Sequence, residues 1–125
     1  MATIFIVDDD RSLQKLYVLI LKEAGFKILD TAINGKDAVE KYRNFKMKPD
    51  IILMDHRMPI KNGLDAMIEI LKINKNEKII FASADITVKE EALSLGACVF
   101  LDKPFKMHEL LVAIHHIVKK LIIER

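Results

Sequence analysis

Short runs rich in β-branched residues take turns along this chain with segments whose apolar residues recur at helical spacing. A period of two that keeps giving way to a period of 3.6 is the signature of a parallel sheet with crossover helices. The strands are expected at "TIFIV", "KILDT", "IILMD", "KIIFAS" and "CVFL". After the first, Leu13, Leu16, Tyr17, Ile20, Leu21 and Ala24 mark one helical face, and Gly25 supplies a stop.

The other crossovers follow the same logic. Asn34 and Gly35 lead into a helix carrying Ala38, Val39 and Tyr42, and Pro49 separates it from the third strand. That strand is apolar until its last residue, as a central parallel strand covered on both faces must be. A helix after Gly63 presents Leu64, Met67, Ile68 and Leu71, and a weaker one with Val88, Ala92 and Leu95 runs to Gly96. The last helix offers Met107, Leu110, Leu111, Ile114, Val118 and Leu121 to the core. At 125 residues, 51% of them apolar, the chain has the size and composition of one globular domain, here residues 1–125.

Charge and cysteine usage narrow the function classes. Twenty Lys and Arg nearly balance 18 Asp and Glu, and the basic residues form no block, so direct nucleic-acid binding gets no support. Cys98 stands alone and leaves no internal disulfide framework, which fits a cytoplasmic location, and it reads as a packing residue. The N-terminal apolar run is too short for a signal peptide, and no run reaches the length of a membrane span.

In an open α/β sheet, ligands bind beyond the carboxyl ends of the strands. The residues just past those ends are Asp8 and Asp9, Asp55, Ser83 and Lys103. Three carboxylates brought together would repel and desolvate one another, so they need shifted pKa values or a cation between them. A hard divalent ion such as Mg²⁺ (or Mn²⁺), which takes a few carboxylates and keeps several waters, meets that need. Lys103 adds a fixed positive charge and Ser83 a small hydroxyl donor.

The motifs "FIVDDD", "IILMDHRMP", "ASA" and "FLDKPF", in this order and at these intervals, resemble the receiver domain of two-component response regulators over essentially the whole chain. The resemblance implies a three-layer, doubly wound, five-stranded parallel sheet in the order 2-1-3-4-5, the flavodoxin-like receiver fold. It implies that Asp55 takes a phosphoryl group from the phosphohistidine of a sensor histidine kinase or a histidine phosphotransfer protein. Asp9, Asp55 and the backbone carbonyl of Arg57 would ligate Mg²⁺, with Asp8 acting through a water. Lys103 and Ser83 would bind phosphoryl oxygens. Ser83 and Phe100 would form the switch, reporting to a downstream protein through the fourth helix, fifth strand and fifth helix.

Each residue also has a plainer reading. Asp10 is expected to cap the first helix beside Ser12. Phe100 could simply pack, and Ser83 alone could be a small core residue. His56 would alternate away from the pocket if the strand continued, His108, His115 and His116 lack the i, i+4 spacing of paired metal ligands, and all four read as solvated. Arg57 and Asp85 lie two residues past Asp55 and Ser83, where their charges could pair across the rim. Such a chain would modify only itself and would be no enzyme in the ordinary sense. It would work as a monomer or a phosphorylation-dependent dimer, either alone or as the N-terminal receiver fragment of a DNA-binding regulator. The tail "IVKKLIIER" fits a helix that docks or continues. A phosphohydrolase of the haloacid dehalogenase type would want an acid where Arg57 stands. A flavin carrier would want amides, not "DDDRS", in its first loop.

Overall fold

The computed structural model describes residues 1–124. Strands β1 (Thr3–Val7), β2 (Lys27–Ala32), β3 (Ile51–Asp55), β4 (Lys78–Ser83) and β5 (Val99–Asp102) form one parallel sheet in the order β2-β1-β3-β4-β5. Helices α1 (Arg11–Glu23), α2 (Gly35–Asn44), α3 (Gly63–Ile73), α4 (Lys89–Leu95) and α5 (Met107–Glu124) make the crossovers, and a 3₁₀ turn at Ile86–Val88 precedes α4. The order reverses between β1 and β3, which opens a crevice at their carboxyl ends. No helix among the described residues is long and apolar enough to cross a membrane.

Two apolar layers sandwich the sheet. Phe5, Val7, Ile52, Met54, Ile79 and Phe81 face α2, α3 and α4, whereas Ile4, Ile6, Ile51, Leu53, Ile80 and Ala82 face α1 and α5. Alternate residues of β3 thus go to opposite cores, and all five are buried, Asp55 included. Side-chain oxygens of Asp10, Asn34 and Asn62 accept the N3 amides of α1, α2 and α3, which start those helices where the sequence places them.

Some expectations shift. Strand β2 runs one residue further, to Ala32, and β5 starts at Val99 instead of Cys98. Cys98 is exposed and is not a packing residue, although its N–H still donates to Ile79 O. On α1, Leu16 is 43% exposed and Ala24 is also outside, because a helix lying on one sheet face buries a narrower stripe than the full apolar pattern. Gln14 takes a place inside that stripe with Tyr17 and Leu21. Leu95 is likewise exposed, since α4 ends there at Gly96 with φ +126°. Glu77 is buried at the opposite pole, where the Tyr42 hydroxyl donates to it at 2.8 Å. The tail continues α5 to Glu124, and Arg125 lies outside the described residues.

The loop between β3 and α3 is held by close backbone approach. A Cβ on Gly63 would lie 1.9 Å from Asp55 O, and one on Gly35 would lie 2.4 Å from Lys61 O. The Gly35 N–H donates to Lys61 O and the Gly63 N–H to His56 O. Within this loop Ile60 has φ 71°, and the Lys61 N–H donates to Pro59 O across it at 2.8 Å, a three-residue turn of the strained γ type. A β-branched residue pays heavily for that backbone, and Ile60 is 77% exposed, so little packing offsets the strain. Ile60→Gly is expected to stabilise the protein by about 1 kcal/mol, read as a higher denaturation midpoint at unchanged m-value. A lower midpoint would show that Ile60 is not strained.

Candidate functional site

The carboxyl edge of the sheet gathers the acids and the lysine picked out from the sequence. One carboxylate oxygen from each of Asp8, Asp9 and Asp55 lies within 4.8 Å of the others. Asp8 and Asp55 are buried and Asp9 is exposed. Lys103 Nζ donates to Asp8 Oδ2 at 2.9 Å and to Asp55 Oδ1 at 3.0 Å, joining the ends of β1, β3 and β5 through one ammonium. Its own N–H donates to Ser83 O, and the Lys103–Pro104 peptide is cis.

Electrostatics follow from this packing. Burial, then the charge of Asp8, push the Asp55 carboxyl up to about 6, against the pull of the Lys103 ammonium. Burial alone would lower Lys103, but its hydrogen bond to Asp8 and the charges of Asp55 and Asp8 outweigh it and raise the ammonium instead. Two buried carboxylates therefore share one cation, with a third carboxylate beside them. Such an all-oxygen set suits a hard divalent ion.

Residues 4–115 match the family model described as the response regulator receiver domain. The chain belongs to the response regulator receiver domain family. It is similar to the chemotaxis protein CheY of Thermotoga maritima, 40% identical over 118 residues covering 93% of this chain and 97% of that one. Among solved structures it resembles the CheY of the CheX–CheY–BeF₃–Mg²⁺ complex from Borrelia burgdorferi, with TM-score 0.89, 31% identity, and 94% and 89% of the two chains covered. It also resembles the response regulator TrrA of T. maritima in complex with Mg²⁺ and beryllium fluoride, with TM-score 0.83, 32% identity, and 94% and 99% covered. Receiver domains are signalling proteins, not classical enzymes.

In this receiver domain the remaining predicted positions lie on β4, on β5 and on the loops after β3 and β4. Ser83 lies one residue past Ala82, the register partner of Asp55, and is 1% exposed. Its hydroxyl accepts the Asp85 N–H at 3.0 Å, which leaves its own hydrogen available to donate. Arg57 Nη2 and Asp85 Oδ2 form an ion pair at 3.1 Å, and both residues line an open cleft with Asp9, Met58 and Asn62. Hydrogen bonds from Thr87 and from Arg57 hold the Asp85 carboxyl below its ordinary range. Phe100 is half-buried, stacked on Phe81 at 5.9 Å, with the Lys89 ammonium 6.0 Å from its ring.

His56 departs from the solvated reading. The strand stops at Asp55, and the imidazole lies 5.7 Å from the Phe81 ring with Nδ1 buried and unpaired among the described residues. Burial lowers its pKa. Sequence reasoning also missed Gln14, whose Nε2 donates to Asp8 O and Ala32 O, both at 2.7 Å. The available signal was a polar residue at i, i+3 and i+7 spacing with Tyr17 and Leu21.

The raised Asp55 carboxyl has a stability consequence. Its folded pKa, about 6, exceeds the ordinary 3.8, so the folded state holds the proton more tightly. Stability is therefore lost as pH rises from about 4 to about 6, with no further change above. Asp55→Asn is expected to stabilise the cation-free protein by about 1–2 kcal/mol at pH 7.5 and to flatten this dependence, measured by urea unfolding in chelator. Equal stabilities for the two proteins would contradict the placement of Asp55 among uncompensated charge.

Proposed function

We propose that this receiver domain is the phosphoacceptor module of a two-component relay, with Asp55 as the acceptor. The observation that carries the reading is the convergence of Asp8, Asp9, Asp55 and Lys103 on one crevice at the sheet's carboxyl edge. The donor is the phosphohistidine of a sensor histidine kinase or of a histidine phosphotransfer protein. An Asp55 carboxylate oxygen attacks phosphorus as the P–N bond breaks, the electron pair leaves with the imidazole nitrogen, and the product is an aspartyl phosphate. Little covalent help is required of the protein, so positioning and charge neutralisation do the catalysis.

The chain's own groups divide that work. Asp9, Asp55 and the Arg57 carbonyl would hold Mg²⁺ or Mn²⁺, and Asp8 would support it through water. When bound, the ion neutralises charge developing on the transferred group. Lys103, already bonded to Asp55, turns to a phosphoryl oxygen, and Ser83 donates its hydroxyl hydrogen to another. Ser83 leads through Phe81 and Phe100 toward the α4–β5–α5 surface, where a downstream protein reads the change. The module acts in the cytoplasm and contacts no nucleic acid itself. The phosphohydrolase alternative lacks its acid, because Arg57 occupies that position and is paired with Asp85.

With Mg²⁺ and acetyl phosphate, the wild type is expected to gain the mass of one phosphoryl group and Asp55→Asn none. Beryllofluoride should shift amide resonances around Asp55 and along β5 and α5. Equal labelling of Asp55→Asn would move the acceptor elsewhere, and an unlabelled, unshifted wild type would end the reading.

The Arg57–Asp85 pair and Asp9 line one cleft beside the acidic cluster, and in this reading the pair hinders the approach of water to Asp55. Arg57→Ala is expected to shorten the phosphoaspartate half-life by about two- to fivefold, followed by loss of the added mass over time. An unchanged half-life would remove the pair from this role.

A further inference from the structure

We infer that Gln14 is a positioning residue for the divalent cation, acting through the peptide that links Asp8 to Asp9. The inference rests on the reading that the three carboxylates hold that ion. Gln14 is 8% exposed, and its two Nε2 hydrogens go to Asp8 O and Ala32 O at 2.7 Å each. Asp8 O lies in the same rigid peptide plane as the Asp9 amide and Cα, so fixing that oxygen restrains the position of the Cα from which the Asp9 side chain departs.

The neighbouring contacts fix the rest of the segment and leave this plane to Gln14. Asp8 N donates to Ala32 O at 3.0 Å, which closes the sheet at this corner. Asp8 Oδ1 accepts the Asp10 N–H at 2.9 Å and Asp8 Oδ2 accepts Lys103. Asp10 in turn caps α1 through the Leu13 N–H. Asp9, between them, is exposed and contributes the third carboxylate of the cluster.

β1 and β2 are already paired up to Val7 and Ala32, and Ala32 O also accepts the Asp8 N–H, so the amide is not needed to join the strands. Asp8 O depends on Gln14, and an apolar side chain of similar volume would leave that buried carbonyl without its donor. The amide supplies two donors while carrying no charge.

The test compares Gln14→Met, which keeps volume and loses both donors, with Val39→Ala, a core change in α2. Mn²⁺ is titrated into each folded protein and its Kd read by electron paramagnetic resonance. Gln14→Met is expected to bind about tenfold more weakly, and Val39→Ala as tightly as the wild type. Binding by Gln14→Met within twofold of the wild type, or equal weakening in Val39→Ala, would overturn the inference while leaving the cation site standing. A wild type that binds no Mn²⁺ would overturn the site itself. Should Gln14→Met fail to fold, hydrogen exchange of the Gln14 side-chain amide in the wild type decides, because coupling is reciprocal. Saturating Mg²⁺ is expected to slow that exchange by about fivefold, and identical rates with and without the ion would refute the coupling.

Discussion

One ammonium shared between two buried carboxylates is the interaction around which this molecule is arranged. Lys103 bonds to Asp8 and Asp55 together, so three strand ends that are distant in sequence are drawn to one point. The arrangement stays short of positive charge, because a third carboxylate, Asp9, stands at its edge. A buried ion cluster of this kind is weak evidence for stability, since desolvation consumes most of the Coulombic gain. Its value lies in readiness: in the proposed function a cation would fill the deficit, and the lysine would exchange a carboxylate for a phosphoryl oxygen.

The rest of the fold holds that deficit in place. An all-buried β3 drives Asp55 to the mouth of the crevice, with cores on both faces preventing any slip of register. Backbone packing does what side chains cannot: Gly63 lies against Asp55 O, Gly35 against Lys61 O, and the intervening loop turns through Ile60 under strain. Strain beside a reacting group is a familiar expense of presenting a cleft there. Gln14 and Asp10 secure the acidic loop from the α1 side.

Much of this was legible in the residues themselves. Strands β1, β3 and β4 fall where hydrophobic runs and punctuation place them, and α1 and α2 start after Asp10 and Asn34 as read, whereas the Asn62 cap, which starts α3 at Gly63, went unread. Legibility failed where a residue's fate depended on a neighbour from another element. Cys98 is apolar in character yet lies outside the edge strand, and Leu16 and Leu95 are apolar yet face solvent. His56 reads as a surface imidazole yet is half-buried against Phe81. Gln14 drew no reading from the sequence, yet it is buried with its side-chain amide donating to two carbonyl oxygens.

Sequence alone determined the alternating α/β order, the apolar central strand and the set of acids and lysine at strand ends, since these depend on periodicity and chain direction. Only the tertiary structure decided that one lysine serves two of those acids, that Arg57 meets Asp85, and that the Asp8 carbonyl is taken by Gln14. Hydrogen bonds and ion pairs act over about 3 Å, a distance that no spacing along the chain specifies until the sheet has closed.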